Sequence, residues 1–501
     1  MPGQRSRHGC DECRKRRRKC DEAKPACSQC GRYKRTCVYS LKLVWGGRKG
    51  NKSWLAEADA CQAGNATQKT NDEISTSQVL SLKTTPSPQS QENWSLIPQQ
   101  LPNGITLPPR YRRLLSYFSE EILASLSTHP SIHHDLRQGL IPVMLGSPPL
   151  LSASLALSAS GLLSRTITEI DGVDTTRVIE HLQTSGLSLL STSLQTEQNN
   201  ENYEVLLVTC LIWCLADVFA ARQGVSSWRV HLKGVKAILD DKYAEGRIFM
   251  TSGPTRSALR HLYLLYLSLQ TLPHLSSTNL SDPALSVWNR RGGDSNDGDP
   301  RIDGFLGYDA AILDILQQIN QVSSSNHEGS MVTQNADRLI RKVESMVHRD
   351  KRRSLDVSIS TLLQPQASRD FDFCHKSFQQ ATLIQLYRLQ QAPSSSNRVQ
   401  AAVKSISGMI DSMTQGLPCH TWVAMSMPLF TIGCEAFDDE QQEYVRDKIQ
   451  KLDTCLGSLH VRIVRQALED IWRFRKELQD HDGKLCASEL LDKVQYNVVL
   501  F

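Results

Sequence analysis

The chain has 501 residues and a formal net charge of +5, with 40% hydrophobic and 22% charged residues. This is a globular composition, which excludes a wholly disordered or fibrous chain, and the length suits about three ordinary domains or one large unit with tails. The charge is unevenly placed: the first fifty residues hold 15 Lys and Arg against four acids, Asp11, Glu12, Asp21 and Glu22, so the remainder is net acidic. A small basic head on a large, mildly acidic body points to a polyanion-binding module joined to a part that does not bind polyanions.

The first ten residues, MPGQRSRHGC, contain no apolar run and so no secretory signal. The protein is expected to be soluble and intracellular, with no membrane partner, and its cysteines are not read as an extracellular disulfide set. Six of the fourteen cysteines fall within the first forty residues, Cys10, Cys13, Cys20, Cys27, Cys30 and Cys37. Their spacing is C-x2-C-x6-C, six residues, then C-x2-C-x6-C again, an internal repeat of two equal halves. Thiols this dense in a reducing compartment indicate a metal, and soft thiolates without a carboxylate cluster favour zinc. Structural zinc takes four ligands. One ion would leave two thiols spare, and two ions are served by six thiols only if two of them bridge. Residues 10–37 contain no Leu, Ile, Val, Phe or Met, so the module has almost no apolar core and needs a metal to fold. His8 precedes the repeat without a counterpart in the second half and is read as a surface residue.

Between Cys13 and Cys20 lie six consecutive basic residues, Arg14, Lys15, Arg16, Arg17, Arg18 and Lys19, preceded by Asp11 and Glu12, acids that favour a helix start. A short helix pinned by zinc at both ends would carry this charge into the major groove of DNA. An import signal or general polyanion binding accounts for the same run, and the readings are compatible. The cysteine spacing, the Arg14–Lys19 run and Pro25 in the middle loop closely resemble the fungal binuclear zinc cluster (Zn2Cys6) family of transcription factors. The resemblance implies two Zn2+ ions, with Cys10 and Cys27 as the bridging ligands. It also implies a helix that reads CGG triplets in double-stranded DNA. The family's usual base-contacting lysine is replaced here by Arg17, with Arg16 beside it. An arginine can donate two bonds to guanine O6 and N7. Arg14, Lys15, Arg18 and Lys19, with Lys34 and Arg35 in the second half, are cast as phosphate contacts, which set register and salt dependence.

Residues 38–74 show no heptads, and Gly46, Gly47, Gly50 and Gly64 oppose a long helix there. The protein therefore binds as a monomer, or the body makes a homodimer. From 50 to 104 the composition turns to Gln, Asn, Ser, Thr and Pro, which reads as a disordered tether between a zinc module (1–49) and a body (105–501). Short disordered stretches are expected at 285–300, 323–331 and 392–398.

The body reads as one large all-α domain. A buried helix is expected after Pro149, with Pro142, Pro148 and Pro149 interrupting the uncharged stretch, and a second over Val205–Phe219; both are read as core helices and not as membrane spans. Trp228, His231, Leu232, Val235, Ile238 and Leu239 share one helical face, as do Val464, Leu468, Ile471 and Trp472, flanked by arginines. Phe378–Tyr387 carries no charge and suits a central helix. His231, Trp213, Cys214 and the cysteines outside the head are read as core residues. Val494–Phe501 is a final helix or a docking segment.

Four stretches of the body resemble the second type of fungal-specific transcription factor domain, found in proteins similar to the acriflavine sensitivity control protein. They are SWRVHLKGVKAIL (227–239), GFLGY (304–308) before a helix, ATLIQLYR (381–388) and MPLFTIGCEA (427–436). LKLVWGGR (41–48) also resembles that family. The resemblance implies a regulatory domain, a metabolite effector and contact with the transcription machinery. No nucleophile elbow, Walker loop, HExxH or GxGxxG motif is present, so an enzyme is not expected. His129, His133, His134 and Asp135 imitate a metal site but lack a matching partner set. The expectation is a nuclear, sequence-specific DNA-binding factor for RNA polymerase II genes of a metabolic or biosynthetic set. The alternative is a repressor or cofactor whose zinc module serves mainly protein interaction.

Overall fold

The computed structural model describes residues 11–16, 20, 21, 23, 26–33 and 37 of the head. In the rest of the chain it describes 106–196, 203–220, 227–244, 253–272, 301–324, 329–352, 356–359, 363–494 and 498–500. The chain divides into two compact units, Met1–Lys52 and Ser53–Phe501. The expected tether at 50–104, the stretches at 41–48 and 285–300, and His8 lie outside the described residues.

The head has two single-turn helices, α1 (Asp11–Lys15) and α2 (Ser28–Arg32). Its described core is Cys13, Cys20, Cys27 and Cys30, with Cys37 packed against them. Thiols thus stand where a larger domain would place leucines.

The body is built of helices. The first is α3 (Pro109–Tyr117), which opens on a proline, runs into a π-helical turn (Phe118–Ile122) and ends in one more α turn (Leu123–Ser125). At this end the hydroxyls of Ser125 and Ser127 donate to the carbonyls of Ile122 and Leu123, at 2.8 and 2.6 Å, which helps to satisfy the carbonyls of the last turn. Helix α4 (Pro130–Gly146) continues through Pro142, contrary to the expected break. Pro142 and Gln138 are both exposed. The carbonyl that the missing N–H would have bonded therefore lies on a face that water can serve. Helix α5 (Pro148–Ser164) also starts on a proline and is buried along nearly its whole length. Its alanines and serines let neighbours approach closely. A Cβ on Gly186 would stand 2.4 Å from Ser152 Oγ, so only glycine fits there.

A short antiparallel pairing, β1 (Glu169–Ile170) with β2 (Val173–Asp174), leads into α6 (Thr175–Thr196). Helix α7 (Tyr203–Ala220) is long and apolar enough to cross a membrane, yet every residue from Leu207 to Ala216 is buried, and the helix packs against α5 as core. On α8 (Ser227–Ala244) the face named from periodicity points inward: Trp228, Leu232, Val235 and Leu239 are buried, and His231 sits 3.4 Å from Asp217. Helix α9 (Pro254–Thr271) packs on α4.

A two-residue strand β3 (Arg301–Ile302) pairs in parallel with β4 (Asp356–Val357), enclosing α10 (Ala311–Ser324) and α11 (Gly329–Arg352) in the chain. The stretch expected to be disordered at 323–331 is helical at both ends, and only 325–328 lie outside the described residues. Helix α12 (Pro365–Leu389) occupies the centre of this half, and between Phe378 and Arg388 only Gln380 is not fully buried. It contacts α10, α11, α13 (Asn397–Ser412) and α14 (Ser426–Glu435).

The turn at 392–398, also expected to be disordered, is ordered and partly buried. Ser394 N and Ser395 N donate to the carbonyls of Leu485 and Gly483, at 3.1 and 2.8 Å, and the Ser394 side chain is enclosed. Its polar composition serves internal partners in place of solvent. Helices α15 (Asp439–Leu456), α16 (Leu459–Glu477) and α17 (Ala487–Leu491) complete the order. The expected helix or docking segment at 494–501 is neither where described: Val498, Val499 and Leu500 lie outside regular structure and are buried in the main core.

Candidate metal centre

The head brings five of the six cysteines of the repeat together. The sulfurs of Cys13, Cys20 and Cys27 lie within 4.8 Å of one another, and so do those of Cys27, Cys30 and Cys37. Cys27 belongs to both groups. Cys13 Sγ and Cys27 Sγ are 3.7 Å apart. That is far longer than a disulfide. It matches the edge of about 3.8 Å expected of a tetrahedron with Zn–S bonds of about 2.3 Å. Cys10 lies outside the described residues.

The backbone supports this arrangement. Cys27 occupies the N-cap of α2, and its sulfur accepts from Cys30 N at 3.3 Å. Cys27 N in turn donates to Cys37 Sγ, also at 3.3 Å. Both N–H groups are aimed at sulfurs of the cluster and fix their positions. In the second half the x2 spacing is therefore the spacing of a helical first turn, with Cys27 at the cap and Cys30 inside. Asp21, counted in the sequence only as one of four acids, has a structural task. Hydrogen bonds from the Ser28 side chain and from Ser28 N, the latter at 3.1 and 3.2 Å, hold its pKa below the ordinary carboxylate value, and the contact ties the middle loop to the start of α2. No local pattern marks this contact, because its partner is seven residues away across the loop.

The basic face is only partly described. Lys15 and Arg16 are exposed at the end of α1, and Arg16 Nε donates to Glu12 Oε1 at 2.7 Å, one helical turn back. The described helix is a single turn that ends before Arg17. Arg17, Arg18, Lys19, Lys34 and Arg35 lie outside the described residues, as does the side chain of Arg14.

The histidines near 130 do not converge. His129 caps α4 by accepting from Ser131 N, His133 Nε2 meets Ser119 O at 2.7 Å, and Asp135 faces Ser257 and His261. Among the described residues, the groups able to hold a metal ion are the two cysteine triplets of the head.

Comparison with known proteins gives two family matches. Residues 8–45 match the fungal Zn(2)-Cys(6) binuclear cluster domain, and residues 113–500, most of the chain, match the fungal specific transcription factor domain. The chain is similar to the pestheic acid cluster transcriptional regulator 3 of Pestalotiopsis fici, with 22% identity over 592 aligned positions that cover 99% of each chain. No solved structure matches. A binuclear domain of this kind carries two zinc ions, and the thiol-only donor set with one sulfur common to both groups suits them. When bound, zinc supplies the cross-links that a module without an apolar core needs in order to fold.

Proposed function

The chain belongs to the fungal zinc-cluster transcriptional regulators, and from that premise we propose that it reads CGG-type triplets in double-stranded DNA and controls a biosynthetic or metabolic gene set in the nucleus. The observation that carries this reading is the pair of thiol groups sharing Cys27 next to α1, whose exposed Lys15 and Arg16 belong to the basic run. All six cysteines, Cys10 included, are the zinc ligands. Arg16 and Arg17 contact guanine edges; Arg14, Lys15, Arg18, Lys19, Lys34 and Arg35 contact phosphates. The head at 1–49 acts through the tether at 50–104, and the body at 105–501 dimerises, answers a small-molecule effector and recruits the transcription machinery. The name of the similar cluster regulator supports a biosynthetic gene set as the target.

Selection of random duplex DNA by the zinc-loaded full chain tests this reading. Enrichment of CGG triplets is expected, two at fixed spacing if the body dimerises, and enrichment of nothing above bulk DNA sinks it. Arg17→Ala separates the two contact classes. Discrimination against a mutated triplet should fall by about 1–3 kcal/mol, while affinity for unrelated DNA changes little. An equal loss on every sequence would reassign Arg17 to phosphate.

A further inference from the structure

Helix α11 (Gly329–Arg352) turns an almost wholly basic face to solvent. Arg338, Arg341, Lys342, Ser345 and Arg349 fall at i, +3, +4, +7 and +11, which brings them to one side of the helix. No acid shares that side. Arg338, Arg341, Lys342 and Ser345 are exposed, and Arg349 is partly so. The acids of the helix lie elsewhere. Asp350 is buried against His375 and Gln379, and Asp337 is half-buried and accepts Gln390 Nε2 at 2.6 Å. Glu344 is exposed on the flank.

Most of the cations on this face are not neutralised within the protein. Arg338 Nη2 donates to the neutral Gln318 Oε1 at 3.3 Å, and Arg341 and Lys342 have no carboxylate partner among the described residues. Arg349, at the C-terminal end of the face, does meet acids: its Nε donates to Asp350 Oδ1 at 2.9 Å, and its Nη2 lies 3.5 Å from Asp309. Elsewhere on the body solvent-facing cations stand beside acids, as in Lys376 with Asp372, Lys451 with Asp447 and Arg473 with Asp470. Like charges three and four residues apart work against a helix, so the row on α11 has a cost that an external anion would relieve. The net acidity of the body averages over this face, and the charge balance of the sequence therefore does not reveal it.

We propose that this face holds the phosphate backbone of the double-stranded DNA that the chain binds, as a second, sequence-independent contact besides the zinc head. The proposal rests on the reading of the chain as a DNA-binding regulator. From Arg338 to Arg349 the face is about 16 Å long. A DNA strand carries one phosphate per about 3.4 Å of axis, so several lie within that reach. Arg, Lys and Ser side chains hold phosphates, and such contacts set affinity and salt dependence without reading bases. Between Arg338 and Arg349 the face has no apolar side chain to anchor a protein partner, which favours DNA over an acidic polypeptide.

The test uses the zinc-loaded full chain and two double variants of equal charge change. Arg341→Gln with Lys342→Gln neutralises the face. Lys376→Gln with Lys451→Gln, the control, neutralises lysines already paired with Asp372 and Asp447. Circular dichroism confirms that both are folded. Binding to a long duplex carrying the selected triplet, and to an unrelated duplex of the same length, is followed by fluorescence anisotropy over a series of salt concentrations. The first variant should bind both duplexes about tenfold more weakly near physiological salt, and its plot of log affinity against log salt should be shallower by about 1.8, or about 0.9 for each lost phosphate contact. The control should match the unaltered chain. Unchanged affinity and slope in the first variant overturn the proposal, and so does an equal loss in the control, which would make the effect one of net charge. Loss of transcription from a reporter with DNA binding unchanged would assign the face to an acidic protein and overturn it too. If selection enriches no triplet but the first variant still loses slope on the unrelated duplex, the reading of the head fails and the face stands.

Discussion

Cys27→Ala should release both zinc ions from the full chain and abolish sequence-specific DNA binding. Cys27 stands in both sulfur triplets, so its removal deprives both metal positions at once. It also removes the N-cap acceptor of α2, where Cys30 N finds its partner. A cap alone is worth about 1 kcal/mol. Metal binding contributes far more: for structural zinc in small modules it is about 10–16 kcal/mol and is also folding free energy. The described core of the head is made of cysteines alone, so nothing apolar remains to hold the helices together. Cys20→Ala provides the comparison, since Cys20 belongs to only one triplet. It should release one ion more readily than the other, while Cys27→Ala releases both. Metal content by mass spectrometry under non-denaturing conditions, alongside DNA binding, reads the difference. A chelator should reproduce the Cys27→Ala result on the unaltered chain. Equal zinc loss from the two variants would mean that Cys27 is not shared.

The head was legible because its constraint is one-dimensional. Six residues of one type at repeated spacings leave few chemistries open, and the x2 interval of the second half is set by a helical cap. The helices of the body were legible for a similar reason. The period that brings Trp228, Leu232, Val235 and Leu239 to one face is a property of consecutive residues, as is the lack of charge from Phe378 to Tyr387. Where sequence reasoning failed, the decisive partner was distant in the chain. The serines at 394–396 have a loop composition, and only Leu485, Gly483, Glu435 and Arg475 turn that segment into buried structure. Arg475 follows a face correctly read as apolar, yet its guanidinium is one of the most enclosed groups in the molecule. Pro142 signalled a break that the exposed face of α4 does not require. The GFLGY stretch was visible as a resemblance, but its use as the wall of a cavity depends on Leu126, Leu265 and Phe378, which no local pattern joins to it.

Glu435→Gln should destabilise the body more than any change on its surface, by about 3–5 kcal/mol. Glu435 and Arg388 are almost wholly enclosed, with Arg388 Nε donating to Glu435 Oε1 at 2.6 Å. The other oxygen of Glu435 accepts Ser394 Oγ at 2.5 Å, and Ser394 Oγ accepts Arg475 Nη2 at 2.6 Å. Arg475 pairs with Asp480, whose second oxygen accepts Lys484 N and Leu485 N. Arg388 further donates to Gln385 Oε1 and Thr431 O, at 3.1 and 3.0 Å. Two cations and two anions thus balance in the interior and fasten α12, α14 and α16 to the turn at 392–398. Removing one charge leaves its partner buried and unpaired, which is why the cost is several kcal/mol and not the fraction typical of surface pairs. The control is the double variant Arg388→Met with Glu435→Leu, which removes both charges and replaces them with apolar volume. Because desolvating an ion pair nearly cancels its attraction, the double variant should lie closer to the unaltered protein than Glu435→Gln does. Urea unfolding followed by tryptophan fluorescence measures both, and the first transition of the body should move to lower urea in the single variant. A loss below about 1 kcal/mol for Glu435→Gln would show that the charge is not needed. A double variant as damaged as the single one would show that the hydrogen bonds to Ser394 and Thr431, and not the unpaired charge, carry the effect.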